Sequence, residues 1–434
     1  MLIRFRVENH RSLRDEQCLS MVAARVGDDM DERLLHPKGL GEALLPAVAL
    51  YGANASGKSN LVNALDFMRE AVISSYRIWK PSSGTPQEPF ALSTKETEPS
   101  LYEVDIMVGG VRYQYGFVIS ALRVEEEWLS TWPKGRKQSL FHREGDEFEF
   151  GKHLHGENET IRSLTRSNSL YLSTAAQSNH EQLIPVFGWF HAARFELRRE
   201  SARTLSEEHS NVLGDLFGTR RQLSLFQEEN DASDRDRDGI VGLMKAADVG
   251  IVDLKASPRE KFRQERRGFR SMAPTEYDFF VLHKAQFDRA IWLPLDWESS
   301  GTITLIGIAT RLVTVLRKGG FLCIDELEAS LHPMLALAIL RLFNDRRHNP
   351  RGAQLIFTTH DTNLLGNVLG DPPLRRDQIW FTEKDEHGAT KLYPLTDFHP
   401  RKEENLERGY LQGRYGAIPF LGELVSTSDS GEKS

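Results

Sequence analysis

Residues 52–59 are Gly52, Ala53, Asn54, Ala55, Ser56, Gly57, Lys58 and Ser59, two glycines spanning four residues and followed by a lysine and a hydroxyl. Ala47 to Tyr51, just before them, is apolar without alternation, the pattern of a strand buried on both faces. Leu61, Leu65, Met68 and Val72, just after them, repeat at helical spacing. A buried strand, a glycine turn and a helix form the setting in which this pattern cradles phosphates. The glycines let backbone N–H groups turn inward, and the helix N-terminus adds positive dipole. Lys58 is expected to reach the β- and γ-phosphates of a nucleotide and Ser59 to ligate Mg²⁺, with Asn60 the next residue along the loop.

A second motif must share that site. Phe321 to Ile324 is another apolar run, and it ends in Asp325 and Glu326. Asp325 suits the holding of Mg²⁺ through water, and Glu326 the polarising of an attacking water. Lys58 and Asp325 stand far apart in the chain. The 434 residues are therefore expected to form one split α/β core with a long insertion, not a string of independent domains. At 40% hydrophobic and 27% charged, the composition can fill such a core. A net charge of −7 argues against a globally basic nucleic-acid coat. Two cysteines, Cys18 and Cys323, cannot make a disulfide framework, so a reducing cytoplasm is the simplest compartment. No signal peptide is expected, because no long apolar run follows Met1. The greasiest stretch, Ile303 to Leu316, is broken by Thr304, Gly307, Thr310, Arg311 and Thr314, which suits a buried helix better than a membrane span.

Two further clusters carry possible chemistry. Thr358, Thr359, His360 and Asp361 close the next apolar strand, and in a parallel sheet such ends share one crevice. His360 is placed to sense or hold a γ-phosphate. Glu298, Ser299, Ser300, Gly301 and Thr302 precede the long apolar helix. Ser299 or Ser300 can cap it, and Gly301 permits close backbone approach. The segment is either a plain cap or an anion site for a nucleotide held by a second subunit.

Elsewhere, residues 2–7 alternate as a half-buried strand, and hairpins are expected about Gly109 and Gly110 and about Gly145. Ser169 to Leu172 reads as strand, 239–247 as helix and 251–255 as strand. Pro333 is expected to open a helix. The acidic run 228–238 and the basic run 255–270 read as solvated, mobile surface, and 426–434 as a frayed tail.

Taken in order, these motifs resemble the ABC-type ATPases of the SMC/RecF-like branch. The matching pieces are Gly52–Ser59, the insertion, Ser299–Thr302, Cys323–Glu326, the stretch 328–332 and His360. The opening Phe5 to Leu13 is similar to that branch's first strand and turn. Glu298 to Thr302 and the ending Gly409 to Pro419 are similar to the stand-alone prokaryotic AAA-type ATPases of the abortive-infection and OLD-like kind. The resemblance implies a mostly parallel central sheet with an antiparallel β-subdomain and a mixed, mainly helical insertion. The parts would be 1–125, 126–295, 296–400 and a C-terminal extension 401–434.

It also implies ATP and Mg²⁺ as ligands and hydrolysis by Glu326 with His360. Arg11 would approach the phosphates, and Gln177 is the best available candidate for a metal-contacting glutamine. A head-to-tail homodimer, or a larger even-numbered oligomer, would cap each ATP with Ser299, Ser300 and Gly301 of the other chain. There is no heptad arm and no acidic cluster after residue 400 that would suit a nuclease of its own. The resemblance therefore suggests an ATP-driven switch in anti-phage defence, with a separate nuclease-like effector and no membrane. A DNA-repair or DNA-sensing ATPase using 255–270 on DNA is the alternative, and a scaffold that holds ATP without turnover is the third.

Overall fold

In a computed structural model, the structure describes residues 1–24, 31–197, 205, 207–218, 227–247, 250–259, 276–284, 289–329, 331–366, 370, 372–401 and 404–419. Two large sheets share one helix layer between them. The first has seven antiparallel strands: β1 (Leu2–Glu8), β2 (Gln17–Ser20), β4 (Ser100–Val108), β5 (Val111–Ile119), β6 (Val124–Trp132), β7 (Gln138–Glu144) and β8 (Glu147–Phe150), in the order β2-β1-β4-β5-β6-β7-β8. Both hairpins fall on the glycines read from the sequence. The expected limit at 125/126 lies inside β6, so the antiparallel sheet runs on into what was read as insertion.

The second sheet is the nucleotide-type core. Its six strands are β3 (Ala47–Tyr51), β9 (Arg194–Glu196), β13 (Phe321–Ile324), β14 (Gln354–Thr358), β15 (Ile379–Lys384) and β16 (Thr390–Pro394), in the order β16-β15-β3-β14-β13-β9. All neighbours are parallel except β15 and β16. Alternation along each strand sorts its side chains to two faces. Val48, Leu50, Cys323 and Ile356 join Leu61, Leu65, Met68 and Val72 of α1 (Lys58–Ile78), which lies toward the antiparallel sheet. Ala47, Ala49, Tyr51, Leu322, Ile324 and Phe357 face the other way. They meet Leu305, Ile308 and Leu312 of α7 (Ser300–Lys318) and Leu335 and Leu340 of α8 (Pro333–Asn344). Thus α1 and α7 lie on opposite faces of the core sheet.

Between residues 150 and 200, α3 (Tyr171–Gln177) and α4 (Ile184–Ala192) pack beside α1, and α2 (Asn158–Leu164) packs on α3. The Ser169–Leu172 run leads into helix α3 and is not a strand: four residues are too few to separate the two periods. A third sheet, β10 (Ile251–Pro258), β11 (Tyr277–Lys284) and β12 (Ala290–Pro294), covers α5 (Glu207–Phe217), α6 (Gln227–Ala246) and the N-terminal half of α7. The acidic run 228–238 belongs to helix α6, not to irregular surface. Asp236 in it is 5% exposed and bonds Arg317 of α7 at 2.7 Å, a distant partner that local charge density does not reveal. Of the basic run, Lys255 lies in β10, and Arg259 pairs with Asp278 and Glu276. Lys261, Arg263, Arg266 and Arg267 lie outside the described residues, as does the tail 426–434.

Among the described residues α7 is the one helix long and apolar enough to cross a membrane. Its apolar side chains are shared between two packed clusters, as in a core helix. The C-terminal extension docks through Tyr410 of α9 (Leu406–Leu411) and Tyr415 just after it, which both stack on Phe381 of β15.

Candidate functional site

The loop 52–57 joins the C-terminal end of β3 to α1, and its sequence explains its shape. Ala55 takes φ 62° and Gly57 φ 109°, left-handed values that turn successive N–H groups to one side. A Cβ on Gly57 would stand 2.1 Å from Thr390 Oγ1, so glycine is required there on two counts. Threonines of the neighbouring strands clamp the loop from outside. Ser56 Oγ and Thr382 Oγ1 are 2.6 Å apart, and Thr390 Oγ1 donates to the Ser56 carbonyl at 2.9 Å. Asn54 and Ala55 form the exposed rim.

Lys58 is only 5% exposed and folds back over the loop. Its Nζ donates to the carbonyls of Gly52 (2.8 Å) and Ala53 (3.0 Å). Burial pulls its pKa down to about 8, against the opposing fields of Asp325, Glu328 and Glu326. It is still a cation at neutral pH, and a poorly solvated one, which a polyphosphate would relieve.

Ser59 lies in the first turn of α1, and its hydroxyl donates to Asp325 Oδ1 at 3.0 Å. The same oxygen accepts from Thr358 Oγ1 at 2.7 Å, and Thr358 Oγ1 accepts the Glu326 N–H at 2.6 Å. The Asp325 N–H is taken by the Glu196 carbonyl of β9 at 2.9 Å. One carboxylate and one hydroxyl, oriented by neighbours and open to the loop, form a donor pair of the kind that holds Mg²⁺ together with phosphate and water oxygens. Glu326 follows at φ 54°, a strained left-handed value for a residue with a side chain. Such strain persists where the surroundings hold it, and here Thr358 and the Leu327 N–H to Thr358 O bond (3.0 Å) do so.

His360 ends the turn after β14. Its main-chain N–H donates to Glu328 Oε1. Partial burial and then Lys58 lower its pKa, so the ring is neutral at physiological pH. Tyr51 Oη donates to the Asp361 carbonyl at 3.0 Å and ties this turn to the strand that carries the phosphate loop.

The N-terminal turn 9–12 lies against the same loop. Asn60 Nδ2 donates to Ser12 Oγ (2.7 Å), which lies 2.8 Å from Thr390 Oγ1. Arg11, next to Ser12, is exposed at φ 49° with its guanidinium on Glu88. It borders the loop, but its charge is spent on that carboxylate.

The structure therefore brings together residues 52–60, Asp325, Glu326 and His360, with Arg11 at the edge. Gln177 is not among them. It is exposed at the end of α3, which bonds α1 at Ser75 and Tyr76, about 24 Å along the helix from Ser59. Ser299 is also elsewhere. It caps α7, its Oγ accepting the Thr302 N–H at 3.1 Å, and Ser299 and Ser300 are exposed at the start of a helix on the face opposite α1. His283 Nε2 holds the preceding Glu298 at 2.8 Å. Two contributors had been given no role from sequence. Thr358 holds the Asp325 carboxylate and the Glu326 main chain, and Glu328 holds the His360 turn. A threonine closing the strand beside Asp325 was the available signal for the first.

The chain matches, over residues 47–366, the family described as "AAA domain, putative AbiEii toxin, Type IV TA system". Among solved structures it is similar to an SMC head domain from Thermotoga maritima, at 13% identity and TM-score 0.37, covering 91% of this chain and 98% of that one. No curated protein matches it. A family match of that extent, over a phosphate loop and an acidic strand end already built into one site, makes the assignment: the chain belongs to this AAA-domain family of P-loop proteins.

Proposed function

We propose that this protein is an ATP-hydrolysing, ABC-type nucleotide switch in which two copies close head to tail around two ATP molecules. The observation that carries the proposal is the division of the motifs between faces. Lys58, Ser59 and Asp325 gather at one end of α1, while Ser299 and Ser300 lie exposed, and Gly301 half-buried, at the start of a helix across the sheet. An exposed helix start carries positive dipole and is an anion site, and a second copy can bring a phosphate to it.

In each half-site the loop amides and Lys58 would bind the phosphates. Ser59 and Asp325 would hold Mg²⁺, which supplies charge neutralisation when bound. Glu326 would orient the attacking water, and His360 would contact the γ-phosphate. A neutral His360 can accept or donate there without adding charge. Loss of the γ-phosphate would remove the group that both copies hold, so closure and opening would follow hydrolysis. The family description names a toxin–antitoxin system, and on that basis we place the switch in anti-phage defence, with a separate effector protein.

The test uses purified full-length chain. Glu326→Gln should accumulate an ATP-bound dimer on size exclusion with light scattering, and Lys58→Ala should lose both turnover and dimer. A Glu326→Gln protein that binds ATP yet stays monomeric would overturn the composite site. Wild-type protein that binds ATP and never releases phosphate would replace the switch with a scaffold.

A further inference from the structure

We infer that Glu328 is a positioning residue for His360, tying the turn that polarises water to the turn that meets the γ-phosphate. The inference rests on the role proposed above for His360 and adds a residue to that machinery.

Glu328 leaves a tightly fixed turn. Leu327 is 1% exposed and its N–H is bonded to Thr358 O, while the Ala329 N–H returns to the Glu326 carbonyl at 2.9 Å. The carboxylate projects from that turn, and Oε1 accepts the main-chain N–H of His360. Besides the Thr359 N–H, which goes to the Leu50 carbonyl at 3.0 Å, three bonds hold the 359–361 turn. The Asp361 N–H goes to Thr359 Oγ1 at 3.0 Å, Tyr51 Oη goes to the Asp361 carbonyl, and the His360 N–H goes to Glu328. Of these, the Glu328 bond is the one that comes from the Asp325–Glu326 side.

The other oxygen sets this carboxylate apart from an ordinary turn cap. Glu328 Oε2 is fully buried and has no hydrogen-bond partner among the described residues. A carboxylate with one idle buried oxygen is a poor choice for stability alone, because an amide or an apolar side chain would cost less there. Its field also acts on Lys58, second only to Asp325, and on Tyr51, second only to Asp361. A buried acceptor inside the phosphate site is placed to receive a donor that arrives with the ligand, such as a water of its shell. Glu328 would then hold His360 with one oxygen and read occupancy with the other.

The experiment compares Mg²⁺ with AMP-PNP against Mg²⁺ with ADP by titration calorimetry, on full-length wild type, E328A, E328Q, H360A and E328A/H360A. The expected ratio of affinities favours the triphosphate analogue in wild type. It falls about tenfold or more in E328A, the worth of one hydrogen bond to a charged acceptor. E328Q restores part of it, since an amide carbonyl still accepts the His360 N–H while its NH2 group replaces the second acceptor. The double variant should match H360A alone, because both changes break one unit. ADP affinity and melting temperature serve as the check that the loop is intact. Full preference in E328A, additive losses in the double variant, or E328Q as damaged as E328A would each overturn the inference. A wild type that binds both nucleotides equally overturns it too, and does so by removing the role of His360 itself.

Discussion

Thr358 is the sharpest place to test how the acidic end of β13 is held. It is fully buried, and its hydroxyl makes two bonds, to Asp325 Oδ1 at 2.7 Å and from Glu326 N at 2.6 Å. Thr358→Val keeps the β-branched shape that packs in β14 and removes only the hydroxyl. The lost bond to a carboxylate is worth about 1.5–3 kcal/mol, and the Glu326 N–H left without an acceptor costs about 1–3 kcal/mol. Glu326 is half-buried, so water can repair part of the second loss. A net of about 3 kcal/mol is expected. For 434 residues, at about 2.1 cal/mol/K each, the unfolding entropy is roughly 0.9 kcal/mol/K, so the melting midpoint should fall by about 3 °C. The functional effect should be larger. Asp325 keeps Ser59 but loses its second anchor, and Glu326 loses the bond that holds its left-handed turn. Half-saturation by Mg²⁺ should therefore rise by about tenfold in a nucleotide-binding titration, with Thr358→Ser close to wild type. Equal Mg²⁺ dependence in wild type and the valine variant would refute the claim that this hydroxyl positions the site, as would a serine variant that behaves like valine.

Four other outcomes are expected. Lys58 has its pKa lowered to about 8 in the protein alone, and bound phosphates raise it, so ATP affinity should fall as pH climbs past 8 and binding there should take up protons. Calorimetry in buffers of different ionisation enthalpy measures that uptake, and a flat profile from pH 7 to 9.5 would contradict it. By the same linkage the nucleotide-free protein gains stability between about pH 8 and 10.5, where the unfolded lysine holds a proton that the folded one has lost. Arg143 is 1% exposed, lies 3.7 Å from the buried Glu127 and donates to the carbonyls of Gly145, Ser167 and Ser169. Burial pushes the Glu127 carboxyl up and the Arg143 guanidinium down. Arg143→Ala should therefore cost about 3–5 kcal/mol in chemical denaturation, because it strands a charge. Ser299→Ala removes the cap of α7 and should cost about 1 kcal/mol of stability while abolishing the ATP-dependent dimer of Glu326→Gln. A dimer of undiminished strength would exclude Ser299 from the interface.

The parts legible in sequence are those whose information is local. Ala47 to Tyr51 and Phe321 to Ile324 have no polar alternation because both their faces are covered, and each ends in residues whose chemistry names the site. The cap at Ser299 and the glycines of both hairpins follow from turn geometry in the same way. What escaped depends on distant partners. The acidic run in α6 looks unstructured until Asp236 is seen against Arg317. β9 is three residues long and is a strand only because β13 lies beside it. Gln177 was judged by its neighbours in sequence, and the helix that carries it turned out to pack at the far end of α1. Thr358 and Glu328 act by bridging two strands, which no single stretch of sequence displays.

The strand order of the core sheet also has a consequence for the newly made chain. β3 sits between β14 and β15, so the strand carrying the phosphate loop has both of its hydrogen-bonding neighbours in the last quarter of the sequence. About 300 residues separate β3 from β14, which at about 5–20 residues per second is roughly 15–60 s of synthesis. Through that interval five apolar residues have no sheet to enter. The seven-stranded antiparallel sheet is complete by Phe150, and α1 can pack beside it. On the ribosome the antiparallel half would thus act as the platform on which the nucleotide strand waits. Variants that weaken it should appear first as aggregation during expression, before any loss of ATP binding is measured.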